Sequence, residues 1–170
     1  IDGDGSDDFA VGRRSSVSMG RCQAYVDVFS GASGDRIHAL LMEGVGGTYG
    51  NFVCGGDDLD GDGVPDILVG GSWGSFLYMF SGSSGSMLYA FQAQEFGVDV
   101  RAPGSLDPAE RRGGSRCDWY IQSAAILPDR DGDGLAEIAV VVSDHNDNWG
   151  QKRLVLLHGP RWSTECSLVP

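Results

Sequence analysis

Short apolar runs separated by segments rich in glycine and serine dominate the chain. The runs are rich in Val, Ile, Phe and Tyr, and no window has the i, i+3, i+4, i+7 spacing of an amphipathic helix. "FSGASG" (29–34) and "FSGSSG" (80–85) end in small residues that favour tight turns between strands. The pattern therefore predicts an all-β protein built from antiparallel strands.

The same order of strands and turns occurs three times along the sequence. The middle unit predicts strands near 51–56, 66–71, 75–80 and 86–92, and the third unit predicts strands near 118–126, 137–143, 153–158 and 166–169. The first unit has no counterpart of the opening strand. Each complete unit is therefore expected to be a four-stranded antiparallel sheet.

Repeated four-stranded sheets are typical of β-propeller blades, because one such sheet cannot bury both of its faces alone. We assign a partial first blade to 1–47, a second blade to 48–97, a polar surface insertion to 98–116 and a third blade to 117–170. The sum is about 2.75 blades, an incomplete ring, whereas propellers close with about four to eight. We therefore expect further blades from a longer chain or from another copy.

Three acidic segments, each directly before an apolar run, carry the clearest chemistry. "DLDGDGVPD" (58–66) and "DRDGDGLAE" (129–137) both have the form D-x-D-x-D-G-x-x-[DE], and "DGDGSDD" (2–8) fits the same frame from its third position onward. Alternating carboxylates in a tight loop point toward one centre, where they repel each other unless a cation is present. An all-oxygen set favours calcium over magnesium or zinc.

The nine positions of this frame predict the calcium ligands. Side chains at positions 1, 3, 5 and 9 and the backbone carbonyl at position 7 give Asp58, Asp60, Asp62, Asp66 and Val64 in the second loop, Asp129, Asp131, Asp133, Glu137 and Leu135 in the third, and Asp2, Asp4, Asp8 and Ser6 in the first. The first loop lacks its leading ligand, so we expect it to bind weakly. An acidic surface turn without an ion is the simpler alternative, but three such turns would not be expected to share the acid at position 9.

An EF-hand is excluded by the residues that follow. Its loop needs a bidentate glutamate at position 12 and flanking helices. Position 12 falls on Val11, Val69 and Val140, all inside predicted strands.

The acidic loops, together with "FLYMFSGSSGSMLYAF" (76–91), "YVDVFSGASGD" (25–35) and the "YG" and "FG" pairs at 49–50 and 96–97, resemble FG-GAP repeats. The resemblance implies a seven-bladed propeller, as in integrin α subunits and many bacterial extracellular proteins, with calcium between the first two strands of certain blades. It further implies an extracellular or cell-surface scaffold for interaction or adhesion. The third unit departs from the pattern, with "LLHGPRW" (156–162) in place of Phe-Ser-Gly and Glu137 in place of aspartate.

The overall charge and the absence of other motifs limit the range of possible functions. A net charge of -12 argues against nucleic-acid binding, and the sequence contains no apolar run long enough for a transmembrane helix. His38, His145 and His158 are scattered without metal-ligand spacing, and no nucleophile elbow, P-loop or dinucleotide fingerprint occurs. We therefore predict a non-enzymatic protein with no catalytic residues.

Two further features leave alternatives open. Trp73 and Trp149 occupy matching places before the third strand of their units, where they would either stack on sugar rings in a lectin-like propeller or pack between adjacent blades. A separate alternative is an accessory domain of a secreted polysaccharide-active enzyme, whose chemistry would depend on sequence outside this chain. The partner is accordingly expected to be a protein or a glycan. The four cysteines, Cys22, Cys54, Cys117 and Cys166, allow two disulfides or buried free thiols.

Overall fold

The computed structural model describes residues 1–14, 24–42, 52–70, 76–92, 119–144, 152–158 and 163–168. Within these ranges the regular elements are the strands β1 (Phe9–Arg14), β2 (Ala24–Phe29), β3 (Arg36–Met42), β4 (Phe52–Gly55), β5 (Ile67–Gly70), β6 (Phe76–Phe80), β7 (Met87–Gln92), β8 (Trp119–Leu127), β9 (Glu137–Asp144), β10 (Lys152–His158) and β11 (Ser163–Leu168). The predicted all-β class is confirmed for this part of the chain, which contains no helix long and apolar enough to cross a membrane.

The strands form three antiparallel sheets, each of which follows the chain order. The first sheet is β1-β2-β3, the second is β4-β5-β6-β7 and the third is β8-β9-β10-β11. The register of the first two sheets shifts at the same place, between Val28 and Phe29 and between Met79 and Phe80, one residue before the Ser-Gly turn. The repeated Phe-Ser-Gly sequence thus corresponds to a repeated irregularity at a strand end.

The second sheet packs against a neighbour on each face, because side chains alternate along a strand. In β5, Ile67 and Val69 join a core with Val26 and Val28 of the first sheet. Leu68, which points the other way, joins a core with residues of the third sheet. This two-sided burial explains why β5 is an unbroken apolar run.

The face of the first sheet that points away from the second sheet carries exposed apolar side chains. Phe9, Val11 and Leu41 are 49%, 48% and 40% exposed. Phe9 stacks on Phe29, with ring centroids 5.3 Å apart. In the described residues the three sheets do not close on themselves.

Several sequence predictions fall outside the described residues: the polar insertion at 98–116, the tryptophans Trp73 and Trp149, and the cysteines Cys22 and Cys117. Cys54 is a free thiol whose Sγ lies 3.4 Å from the carbonyl oxygen of Ala124. The two-disulfide alternative, which requires all four cysteines, is therefore not realised.

Candidate metal centres

Each acidic loop leads directly into a strand: the first into β1, the second from β4 into β5, and the third from β8 into β9. Positions 4 and 6 of the two complete loops are glycines with positive φ, 84° at both Gly61 and Gly63, 83° at Gly132 and 91° at Gly134. These angles lie in the left-handed region, which side chains with a β-carbon rarely adopt. The sharp turn predicted at Gly63 is confirmed.

The carboxylate at position 1 of the second loop is held by the backbone of its own loop. Asp58 Oδ1 accepts a 2.7 Å hydrogen bond from the N–H of Gly61, and its Oδ2 accepts one of 2.7 Å from the N–H of Gly63. Asp60 and Asp62 each accept from the N–H two residues further on, at 3.1 and 2.8 Å. The alternating carboxylates are thereby fixed around the turn.

The third loop repeats these hydrogen bonds position by position. Asp129 accepts from the N–H groups of Gly132 and Gly134, at 2.7 and 2.9 Å. Asp131 and Asp133 accept from the N–H two residues further on, at 3.1 and 2.9 Å. Two separate sequences therefore build the same loop.

The acid at position 9 connects its loop to a second turn. Asp66 is fully buried, and its Oδ2 accepts from the N–H groups of Leu59 and Asp60 at 2.8 and 3.2 Å. Its Oδ1 accepts from the N–H of Gly82, in the turn after β6, at 2.9 Å. Asp8 accepts from the N–H of Gly31 at 3.0 Å, so the first sheet has the same connection.

The sequence predicts the glycines of Phe-Ser-Gly only as turn formers, but the structure gives them a second role. A β-carbon at Gly82 would overlap the carbonyl oxygen of Pro65, and one at Gly31 would overlap that of Asp7. Glycine is therefore required because the acidic loop approaches the turn backbone to backbone. No fixed spacing in the sequence marks this role, because Asp66 precedes Gly82 by 16 residues whereas Asp8 precedes Gly31 by 23.

The pKa values of the acids in the second loop are shifted in different directions. Burial raises the pKa of Asp66 from 3.8 to about 6. Burial also raises the pKa of Asp60, and the charges of Asp62 and Asp58 add to the effect. The hydroxyl of Ser83, which donates to Asp62 Oδ2, lowers the pKa of Asp62. Crowded carboxylates with raised pKa values gain most from a bound cation.

Each loop brings three carboxylates close enough to share an ion, with one oxygen from each residue within 4.8 Å of the others. The groups are Asp2, Asp4 and Asp8 in the first loop, Asp58, Asp60 and Asp62 in the second, and Asp129, Asp131 and Asp133 in the third. The acids at position 9 of the complete loops lie outside these groups and accept from backbone N–H groups: Asp66 from Leu59, Asp60 and Gly82, and Glu137 from Arg130 and Asp131. Ligation by the carbonyls of Ser6, Val64 and Leu135 stays a prediction.

The second and third loops lie side by side. The N–H of Ala136 donates a 3.0 Å hydrogen bond to the carbonyl oxygen of Asp58. The two complete loops are thus joined through their backbones, at the same end of the second and third sheets.

Comparisons with protein-family models, with curated proteins and with solved structures give no match to this chain.

Proposed function

We propose that this chain is a non-enzymatic, calcium-binding segment of a β-propeller that serves as an extracellular interaction or adhesion scaffold. One observation carries the calcium part of the proposal. The second and third loops share one network of hydrogen bonds, in which position 1 accepts from the N–H groups at positions 4 and 6. In each of these two loops, which differ in sequence, the network gathers three carboxylates around one point.

Calcium fits this donor set better than other common cations. The ligands are carboxylate oxygens on a flexible glycine-containing loop, with carbonyls and water to complete a shell of about six to eight. Magnesium demands a near-ideal octahedron and keeps several of its waters, and zinc prefers nitrogen and sulfur. The exposure of Asp60 and Asp62 leaves room for water ligands.

The order and packing of the three sheets support the propeller. Each sheet follows chain order, and successive sheets pack face to face, with the middle strands β5 and β6 of the second sheet buried on both faces. The first sheet leaves Phe9, Val11 and Leu41 exposed on its far face, and a neighbouring sheet would cover them. We propose that further blades, from a longer chain or another copy, supply that cover.

The extracellular location is proposed from the resemblance to FG-GAP repeats, and weak calcium binding would agree with it. Extracellular calcium-binding modules work with dissociation constants of about 0.1 to 1 mM, which only millimolar calcium fills. Such an ion would hold the loops rigid and present them to a protein or glycan partner. At about 1 mM calcium and a dissociation constant of about 0.1 mM, each site would stabilise the fold by roughly 1.4 kcal/mol.

Calorimetric and thermal titration of the calcium-free protein tests the proposal. We expect the two complete loops to account for two calcium ions per chain and for a rise in melting temperature that magnesium does not reproduce. Asp58→Asn and Asp129→Asn should each remove one ion. Asp57→Asn is the matched control, because it removes an adjacent exposed carboxylate outside the D-x-D-x-D frame.

Equal loss of calcium binding in Asp57→Asn and Asp58→Asn would show a diffuse charge effect and contradict a defined site. The absence of both heat and thermal shift would contradict calcium binding altogether. An experimental structure of the full-length protein tests the propeller separately. Sheets arranged as a two-layer sandwich, without radial blades, would overturn that part.

A further inference from the structure

The third sheet differs from the other two at one position that faces its acidic loop. In the first two sheets, Phe29 and Phe80 are followed by Ser30 and Ser81. The corresponding residue of the third sheet is followed by His158 instead. In the first sheet the Ser30 hydroxyl donates to Asp4 Oδ2 at 3.2 Å. An imidazole therefore occupies the place of a hydroxyl that contacts the loop.

His158 turns one ring nitrogen toward two carboxylates. Its Nδ1 lies 3.4 Å from Asp131 Oδ2 and 3.9 Å from Glu137 Oε1. Both ring nitrogens are buried and have no hydrogen-bond partner in the described part of the chain. The ring therefore faces the acids without making a hydrogen bond to either, although buried polar atoms are normally paired.

The three side chains line a small cavity. Its volume is about 250 Å³, and Leu127, Leu156 and Arg130 complete its wall. The Glu137 side chain is 3% exposed, and Asp131 at 44% leaves one side open to solvent. The cavity thus offers one nitrogen and two oxygen donors beside an apolar wall, with an open side for water.

We propose that Asp131, Glu137 and His158 form a binding site for a divalent transition metal of the zinc class. One atom from each residue lies within 4.8 Å of the others. Metal–ligand bonds of about 2.0–2.1 Å in a tetrahedral site place ligand atoms about 3.4 Å apart. His158 Nδ1 and Asp131 Oδ2 lie at that separation, and Glu137 Oε1, at 3.9 Å from Nδ1, would have to move closer on binding. The metal accepts the Nδ1 lone pair of the neutral imidazole, and water takes the fourth position.

The nitrogen donor is what separates this site from the calcium loops. Imidazole is a good ligand for zinc, copper and nickel and a poor one for calcium. The proposal does not depend on calcium at the second loop. It shares Asp131 and Glu137 with the calcium site proposed for the third loop, so the two metals compete there.

Titration of tag-free, metal-stripped protein with Zn²⁺ by calorimetry, and with Co²⁺ by visible absorption, tests the site. We expect one zinc ion per chain and a cobalt spectrum with the intense visible bands of low coordination. His158→Ser, which installs the residue of the other two sheets, should weaken zinc binding by about 100-fold or more and abolish those bands. Asp131→Asn, a change at a side chain that is 44% exposed, should weaken it similarly.

His38→Ser is the matched control, because His38 Nε2 pairs with the carbonyl oxygen of Gly82, outside the cluster. It should leave zinc affinity unchanged. Zinc binding that survives His158→Ser, or the absence of zinc binding in the wild type, would overturn the proposal. Calcium binding by the second loop, measured in the same variants, is expected to persist. If the wild type does not bind calcium at the second loop, that result contradicts the proposed function and leaves the zinc site untouched, so the two failures are distinguishable.

Discussion

The N–H of Gly82 donates a 2.9 Å hydrogen bond to Oδ1 of Asp66, and this bond connects two turns at the same end of the second sheet. The acid closes an acidic loop, and the glycine opens the turn after β6. The other oxygen of Asp66 accepts from the start of its own loop. One buried carboxylate therefore sets the position of the loop relative to the sheet, whether or not it also contacts a cation.

Replacement of Gly82 by alanine tests this connection. A β-carbon there would overlap the carbonyl oxygen of Pro65, so the turn must move away from the loop and the bond to Asp66 must lengthen. We expect a loss of stability of about 2–4 kcal/mol, measured by chemical denaturation. Ser86→Ala in the same turn is the control, because Ser86 is exposed and its backbone N–H is retained. Equal stability of Gly82→Ala and Ser86→Ala would contradict the close approach.

A second prediction concerns pH. Burial raises the pKa of Asp66 from 3.8 to about 6, so in calcium-free protein the folded state binds this proton more tightly than the unfolded chain does. The resulting stabilisation is full below pH 3.8 and is lost as pH rises through about 6. A shift of this size corresponds to about 3 kcal/mol.

The difference in unfolding free energy between wild type and Asp66→Asn isolates this effect, because asparagine does not titrate. We expect the difference to become less favourable to the wild type between about pH 4 and about pH 7. The corresponding difference for Asp57→Asn, at an exposed carboxylate, serves as the control. If the Asp66 difference does not vary with pH, the carboxyl is not desolvated as described.

A third prediction concerns the hydroxyl of Ser83, which donates to Asp62 Oδ2 from the turn after β6. This hydrogen bond is the main reason that the pKa of Asp62 is lowered. In Ser83→Ala we expect the pKa of Asp62 to rise toward its ordinary value, as measured by carbon-13 NMR of the side-chain carboxyl in calcium-free protein. Ser84→Ala, one residue further along the turn, should leave it unchanged. An unaltered Asp62 titration in Ser83→Ala would show that the hydroxyl does not bind this carboxylate.

The strands and the acidic loops could be predicted because their signals are local. Glycine and serine mark the turns beside apolar runs, so the strand predicted at 66–71 is observed as Ile67–Gly70. The D-x-D-x-D-G spacing likewise predicts that the aspartates at positions 1, 3 and 5 of the complete loops lie close together, whereas Asp66 at position 9 lies outside its group. The bond from Asp66 to Gly82 and the approach of His158 to Glu137 could not be predicted in this way, because the first joins two separate turns and the second joins the ends of two different strands. Such contacts depend on where the third strand of each sheet ends relative to the acidic loop.

The last prediction tests the packing of the second sheet against the third. Leu68 is fully buried between the second and third sheets, whereas Leu41 is 40% exposed on the far face of the first. Leu68→Ala leaves a cavity in a core shared by two sheets, so we expect a loss of about 2–5 kcal/mol. Leu41→Ala removes the same atoms from a half-covered surface and should cost less than about 1 kcal/mol. Denaturation of both variants under identical calcium-free conditions measures the contrast, and equal losses would mean that β5 is not enclosed on the face toward the third sheet.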